Sequence, residues 1–295
     1  MKFYRKIITL FALLLLAGMV KKPWEAAIGA DLRHDKLLSE PLNLTTRESI
    51  GQTSSAVALG GLRSVVASFW NIRAYTSFEE SNWVKLEDQY ETIVALQPHT
   101  AYYWDTGSWH LAYNAAVSSR ENENFPAPRR EALHRTYINK GKAFLERGVK
   151  NMPGNWILLS SLGRLHGTAS KYPDYEKSAA AYQQAWETGK ARNFEARAWF
   201  YSLARCEGKD REALHLGRAL FIADKNRVDT LCCLLFVLEM RQKNARPIEE
   251  LVKLCFTSHA DALRMLEVYK TNNAENLPIT GVDHAIEWLK SVQNK

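Results

Sequence analysis

From Ser54 onward, apolar residues recur three and four places apart with polar residues between them, and the strict alternation of a strand is missing. This spacing predicts helices over 54–77, 80–96, 100–118, 129–150, 154–170, 174–189, 193–207, 210–223, 227–241, 247–256, 258–270 and 281–292. Glycines and prolines fall between the segments, where helices stop and start. Pro247 suits a first helical turn, because the N–H it lacks would be unpaired there anyway. The polar, proline-bearing stretch SSRENENFPAPRR (118–130) reads as a loop insertion. Residues 21–50 carry no sustained period and read as a tether with one short helix around Trp24 to Leu38.

The helices come in pairs, and the pairs share a template. A small or apolar residue is followed by others at +4 and +7 and by a break at +12. Leu86, Tyr90, Ile93 and Pro98 fit it, as do Gly141, Leu145, Gly148 and Pro153. Two weaker copies are Ser178, Tyr182, Ala185 and Lys190, then Glu212, Leu216, Ala219 and Asp224. The helix after each break has landmarks at +6, +9, +10 and +13. These are Trp104, Gly107, Ser108 and Leu111 in the first copy and Leu159, Leu162, Gly163 and His166 in the second. The third and fourth give Ala196, Trp199, Phe200 and Leu203, then Thr230, Cys233, Leu234 and Val237. Breaks are 55, 37 and 34 residues apart, the first lengthened by the insertion.

In these small and large helix faces, in its ALQP ending and in its helix pairs, the chain resembles the tetratricopeptide-repeat (TPR) family. It is also similar to exported bacterial repeat proteins of the envelope. The resemblance spans roughly residues 80–240, extends weakly over 54–292, and is clearest in WVKLEDQYETIVALQP. Glu212, where a small residue is usual, and His166, where an apolar one is usual, depart from the pattern. The resemblance implies an all-α fold: a right-handed superhelix of five or six antiparallel helical hairpins, a TPR-like α-solenoid. Each hairpin would leave an apolar face that only its neighbour can cover. Leu86, Tyr90, Ile93, Pro98, Trp104, Gly107, Gly163, Tyr182, Ala185 and Trp199 would be its structural positions.

One stretch is denser in chemistry than the rest. Residues 90–115 hold two histidines, two tryptophans and four tyrosines. The resemblance makes this the end of one repeat and the first helix of the next, mostly a seam between packed helices. First helices of such repeats line the concave groove. Tyr103, Asp105, Trp109, His110 and Tyr113, left over after the structural positions are assigned, are therefore the groove-binding candidates.

Ahead of the helices, basic MKFYRK leads into the apolar run IITLFALLLLAGMV and then KKPW. That order reads as a signal sequence or an N-terminal anchor. A run of about 14 residues is short against the roughly 20 of a full span. The small-x-small cleavage pattern is poor, since Met19 stands two places after Ala17. The domains expected are therefore 1–20, signal or anchor; 21–53, tether; and 54–295, helical repeats. The formal charge of +7 is spread over interspersed basic and acidic residues, with no basic run of the kind that binds nucleic acid.

Catalytic signatures are sparse. Cys206, Cys232, Cys233 and Cys255 are too few for a disulfide scaffold, although an oxidising compartment could join one pair. The sequence holds no HExxH, CxxC, GxSxG, phosphate loop or dinucleotide fingerprint, so no metal site or cofactor is expected. Glu87, Glu195 and Glu239, near aromatic or apolar neighbours, are the carboxylates that could serve as the acid of a glycan-cleaving enzyme. The reading favoured is a non-enzymatic scaffold or accessory subunit of a cell-envelope assembly. It would bind a protein or peptide and meet the inner membrane through its N-terminal segment. The alternative is an exported glycan-cleaving enzyme on a helical superhelix.

Overall fold

The protein is described by a computed structural model covering residues 61–273 and 276–293, with residues 21, 23, 24, 26–35 and 51. Two compact units divide the chain, Met1–Ala67 and Ser68–Lys295. In the first, residues 26–34 are helical. The N-terminal apolar run and the predicted helical residues 54–60 lie outside the described residues.

Every element among the described residues is helical. In chain order α1 is Arg63–Glu79, α2 Trp83–Leu96 and α3 Ala101–Trp109. A π-helical segment, His110–Ala115, joins α3 to α4, Ala116–Glu121. Then come α5 (Ala127–Asn151), α6 (Trp156–Gly167), α7 (Tyr175–Glu187), α8 (Asn193–Leu203) and α9 (Asp210–Phe221). The last are α10 (Asp229–Met240), α11 (Ile248–Cys255), α12 (His259–Asn273) and α13 (Val282–Gln293). Within the described residues, each predicted segment corresponds to one of these elements, the 100–118 segment to α3, π and α4 together.

Local chemistry sets the ends. Asn82, Asn155 and Asp174 cap α2, α6 and α7 by accepting from backbone N–H groups in the first turn. At α8 the Glu195 carboxylate reaches back to the Arg192 N–H, 2.9 Å away. Gly154, between α5 and α6, turns at φ +74°, where a side chain would be strained. The insertion read over 118–130 is shorter than expected. Helix α4 runs to Glu121 and α5 begins at Ala127, because Pro128 falls in a first turn that needs no N–H from it. Residues 122–126 alone form the connection.

From α2 to α11, and again from α12 to α13, consecutive helices pack against one another, with α3, the π segment and α4 acting as one helix; α3 also meets α6, α8 meets α10, and α10 meets α12. Glycines permit the closest approaches. A Cβ on Gly107 would lie 2.7 Å from the Phe144 ring, and one on Gly163 2.8 Å from the Tyr182 ring. Leu86, Ile93 and Ala185 are fully buried, and Tyr90, Trp104 and Tyr182 nearly so. Half-buried Pro98 gives its carbonyl to Trp104 Nε1 at 2.8 Å. Trp199 is only half-buried; its neighbour Phe200 is the one in the core.

In the fourth copy the template is off by one residue. Glu212 and Ala219 are exposed and Leu216 half-buried, while Ala213, Gly217 and Leu220 face inward. The rotation is confined to α9: in the following helix Cys233, Leu234 and Val237 are buried, and of its four landmarks only Thr230 is half-buried. The reason is steric and electrostatic. Gly217 fits against Phe200 and Leu235, and the same rotation keeps the Glu212 carboxylate in water.

Candidate functional site

The π segment follows from the packing stripe of its helix. Buried residues fall at 104, 108, 112 and 116 and again at 107, 111, 115 and 119, every fourth position. An ideal helix would carry such a stripe off its contact by about 40° per repeat. A local π turn, in which the Ala116 N–H donates to the Leu111 carbonyl five residues back, underwinds the helix and restores the face. Across the contact lies Gly141, where a Cβ would come within 2.6 Å of Ala112. Ser108 Oγ donates to the Gly141 carbonyl at 2.9 Å.

This geometry gives each of the five groove candidates its own surroundings. His110 turns into an aromatic stack, its ring centre 4.9 Å from Phe78, 5.5 Å from Tyr90 and 5.1 Å from Trp109. Its Nδ1 meets the Asn114 amide at 3.0 Å, and burial pushes its pKa down to about 4. Trp109 is exposed, Asp105 is half-buried, and Tyr103 lies half-buried against Tyr102. Tyr113 lines a cleft, with the Lys171 ammonium 4.7 Å from its ring centre. Tyr103 and His110, seven residues apart, share one side of the helix; Asp105 and Trp109, four apart, share another.

Two clefts stand out instead. One, of about 700 Å³, lies between the turn after α1 and the π–α4 segment, walled by Phe78, Trp83, Tyr113 and Val117. Trp83 is fixed by its Nε1–H donating to Ser118 Oγ at 2.9 Å. The larger, about 990 Å³, runs between α7 and α9 over α8. Trp199 and Leu203 form its floor, Ala179 and Ala180 one wall, Leu216 and Ala219 the other. Glu176, Gln183, Arg211 and His215 stand on its rim. The register of α9 makes this groove, for it turns Leu216 and Ala219 out of the core.

The carboxylates suited by sequence to acid catalysis have other engagements. Glu87 pairs with Lys140 at 2.6 Å. Glu195, besides its cap, accepts from Ser160 Oγ at 3.1 Å. Glu239, buried, takes both arms of the Arg218 guanidinium at 2.6 and 2.7 Å. None of the three lines either cleft. His166 is buried at the end of α6, with Nε2 3.4 Å from a Glu146 oxygen, and burial lowers its pKa. The four cysteines are buried free thiols. Among the described residues no three His, Cys, Asp or Glu side chains converge as metal ligands, and no helix is long and apolar enough to cross a membrane.

The class defined so far is an all-helical protein with an apolar groove between helices. No protein-family model matches the chain, and no curated protein matches its sequence. The TPR resemblance thus stands on the template residues themselves. Sequence reasoning missed the groove because it took Leu216 and Ala219 as core. The signal was there in Glu212, the one charged residue at a packing position of the template ahead of its break, which a one-residue shift moves to the surface.

Proposed function

We propose that the chain is a non-enzymatic scaffold of the cell envelope that holds a segment of a partner protein in the α7–α9 groove. The observation that carries this reading is the groove itself. Its floor and walls are apolar and its rim is charged, the arrangement that buries an apolar anchor while keeping charges wet. Trp199 on the floor is the residue type that most often dominates such contacts. The groove accommodates about two turns of the flanking helices, enough for a helical or extended segment rather than a single side chain.

In this reading the hairpins stack as a TPR-like α-solenoid with a right-handed superhelical path. Packing between sequence neighbours and next-but-one helices supports that arrangement. The N-terminal basic and apolar segment supports export and attachment at the periplasmic face of the inner membrane.

Photo-crosslinking amino acids placed at Ala180 and Ala219, on opposite walls, test the reading, with Lys150 on α5 as the distant control. Both wall positions are expected to crosslink one common envelope protein in intact cells, and Leu216→Glu is expected to abolish both products. The same products from Lys150, or products from the walls that survive Leu216→Glu, would sink the groove as the partner site.

A further inference from the structure

The smaller cleft has a chemistry of its own, and we infer that it is a second binding site, taking a lysine or arginine side chain presented by a peptide. Its walls bring three aromatic rings, Phe78, Trp83 and Tyr113, around one opening of about 700 Å³. Among the described residues its only charged lining residues are Glu79 and Glu121, and neither has a hydrogen-bond or ion-pair partner there. Among the described residues no lysine or arginine lines it. In a chain of net charge +7, an aromatic opening edged by two uncommitted carboxylates is a local reversal of sign.

Aromatic faces and carboxylates attract the same kind of group. A cation over a ring gains from the ring's quadrupole, most strongly over tryptophan. A carboxylate at the rim adds a charge-assisted hydrogen bond to the same ammonium or guanidinium. The walls are held before anything binds. Trp83 is tied to Ser118 through Nε1, and the Phe78 ring meets the indole edge-on at 6.0 Å and 68°. A preset wall spares the entropy of ordering it on binding. The Asn114 amide and the Ser118 hydroxyl, also in the lining, supply the neutral acceptors a guanidinium needs beyond its carboxylate.

The source of the cation follows from the exposure of the site. Both glutamates are exposed and Val117 is 40% exposed, whereas sites for free small molecules bury most of their ligand. An open cleft with charges at its lip receives a side chain carried in on a longer chain. Lys171, which sits on the Tyr113 ring outside the lining, shows that this ring already accepts an ammonium on one side.

The test uses the full chain and the indole Nε1–H resonance of Trp83, assigned by Trp83→Phe. Acetylated Gly-Arg-Gly and Gly-Lys-Gly amides at millimolar concentration are expected to shift that resonance saturably, and Gly-citrulline-Gly, the uncharged isostere of arginine, is not. The double variant Glu79→Gln with Glu121→Gln is expected to bind the arginine peptide about two- to thirty-fold more weakly, from two exposed charge pairs. Both side chains are exposed and uncommitted, so the variant keeps its fold, checked by helicity and melting. An equal shift with the citrulline peptide, an unchanged affinity in the double variant, or no shift with either basic peptide overturns the proposal.

Discussion

Replacing Gly217 by alanine separates the two possible registers of α9 by the sign of its effect. In an exposed helix interior, Gly→Ala stabilises by about 1 kcal/mol, because it removes glycine's conformational excess in the unfolded chain. Were α9 to follow the sequence template, with Leu216 and Ala219 inward, Gly217 would be at the surface and the variant would be more stable. In the structure Gly217 faces the core. Its new Cβ would lie 2.7 and 2.9 Å from Phe200 ring carbons and 3.3 Å from Leu235 Cδ1, all closer than ordinary contact. Phe200 is fully buried and Leu235 nearly so, leaving the ring no open direction in which to retreat. Overpacking of this kind costs about 1–3 kcal/mol. Less the helix-propensity gain of about 1 kcal/mol, the variant is expected to lose up to about 2 kcal/mol, a fall in Tm of up to about 8 °C for a unit of this size.

Urea denaturation followed by circular dichroism at the helical band measures the difference, with Leu216→Ala as the companion. Half-buried at the groove, Leu216 is expected to lose less than about 1.5 kcal/mol, against about 2–5 kcal/mol for a leucine truncated in a core. A stabilised Gly217→Ala together with a Leu216→Ala loss in the core range would refute the register, and with it the groove.

Two further outcomes follow from buried titratable groups. His110 is neutral in its stack, with a pKa pushed from 6.5 to about 4, so the unfolded chain binds its proton first. Stability is therefore expected to fall as pH drops from about 6.5 to about 4 and to level off below, by on the order of 3 kcal/mol from this group. Urea denaturation at several pH values checks it: His110→Phe should flatten the slope relative to wild type, and an identical slope would remove His110 as the cause, whatever His166 contributes to both. Burial also raises the thiols, Cys232 to about 11 and Cys233 and Cys255 further still. A thiol reagent at pH 8 should find no fast-reacting cysteine in the native protein and four after denaturation without reductant, with Cys206, which lines the groove, the first to react; fewer than four would reveal a disulfide.

The helices were legible in the sequence because a repeat of 3.6 residues is a property of neighbours along the chain, and their approximate ends because glycines and prolines fall between them; the caps at Asn155 and Asp174 act within one turn. Gly107 and Gly163 could likewise be read as points of close approach, since a missing side chain is written in the sequence. What lies across from them could not. The one-residue rotation of α9 depends on Phe200 and Leu235, 17 and 18 residues away, and a period of 3.6 tolerates either of two adjacent faces when both carry small residues. The fate of the candidate stretch was decided the same way. The every-fourth-residue stripe of 104–119 was present to be read, but only contact with Gly141 makes it a π segment, and that contact turns His110 inward while leaving Tyr113 at a cleft. Clefts belong to tertiary structure altogether: their walls come from helices whose separation in space no local pattern records. Among the described residues, sequence alone determined that this protein is helical and, to within a few residues, where the helices run; packing decided which faces are left open for something else to fill.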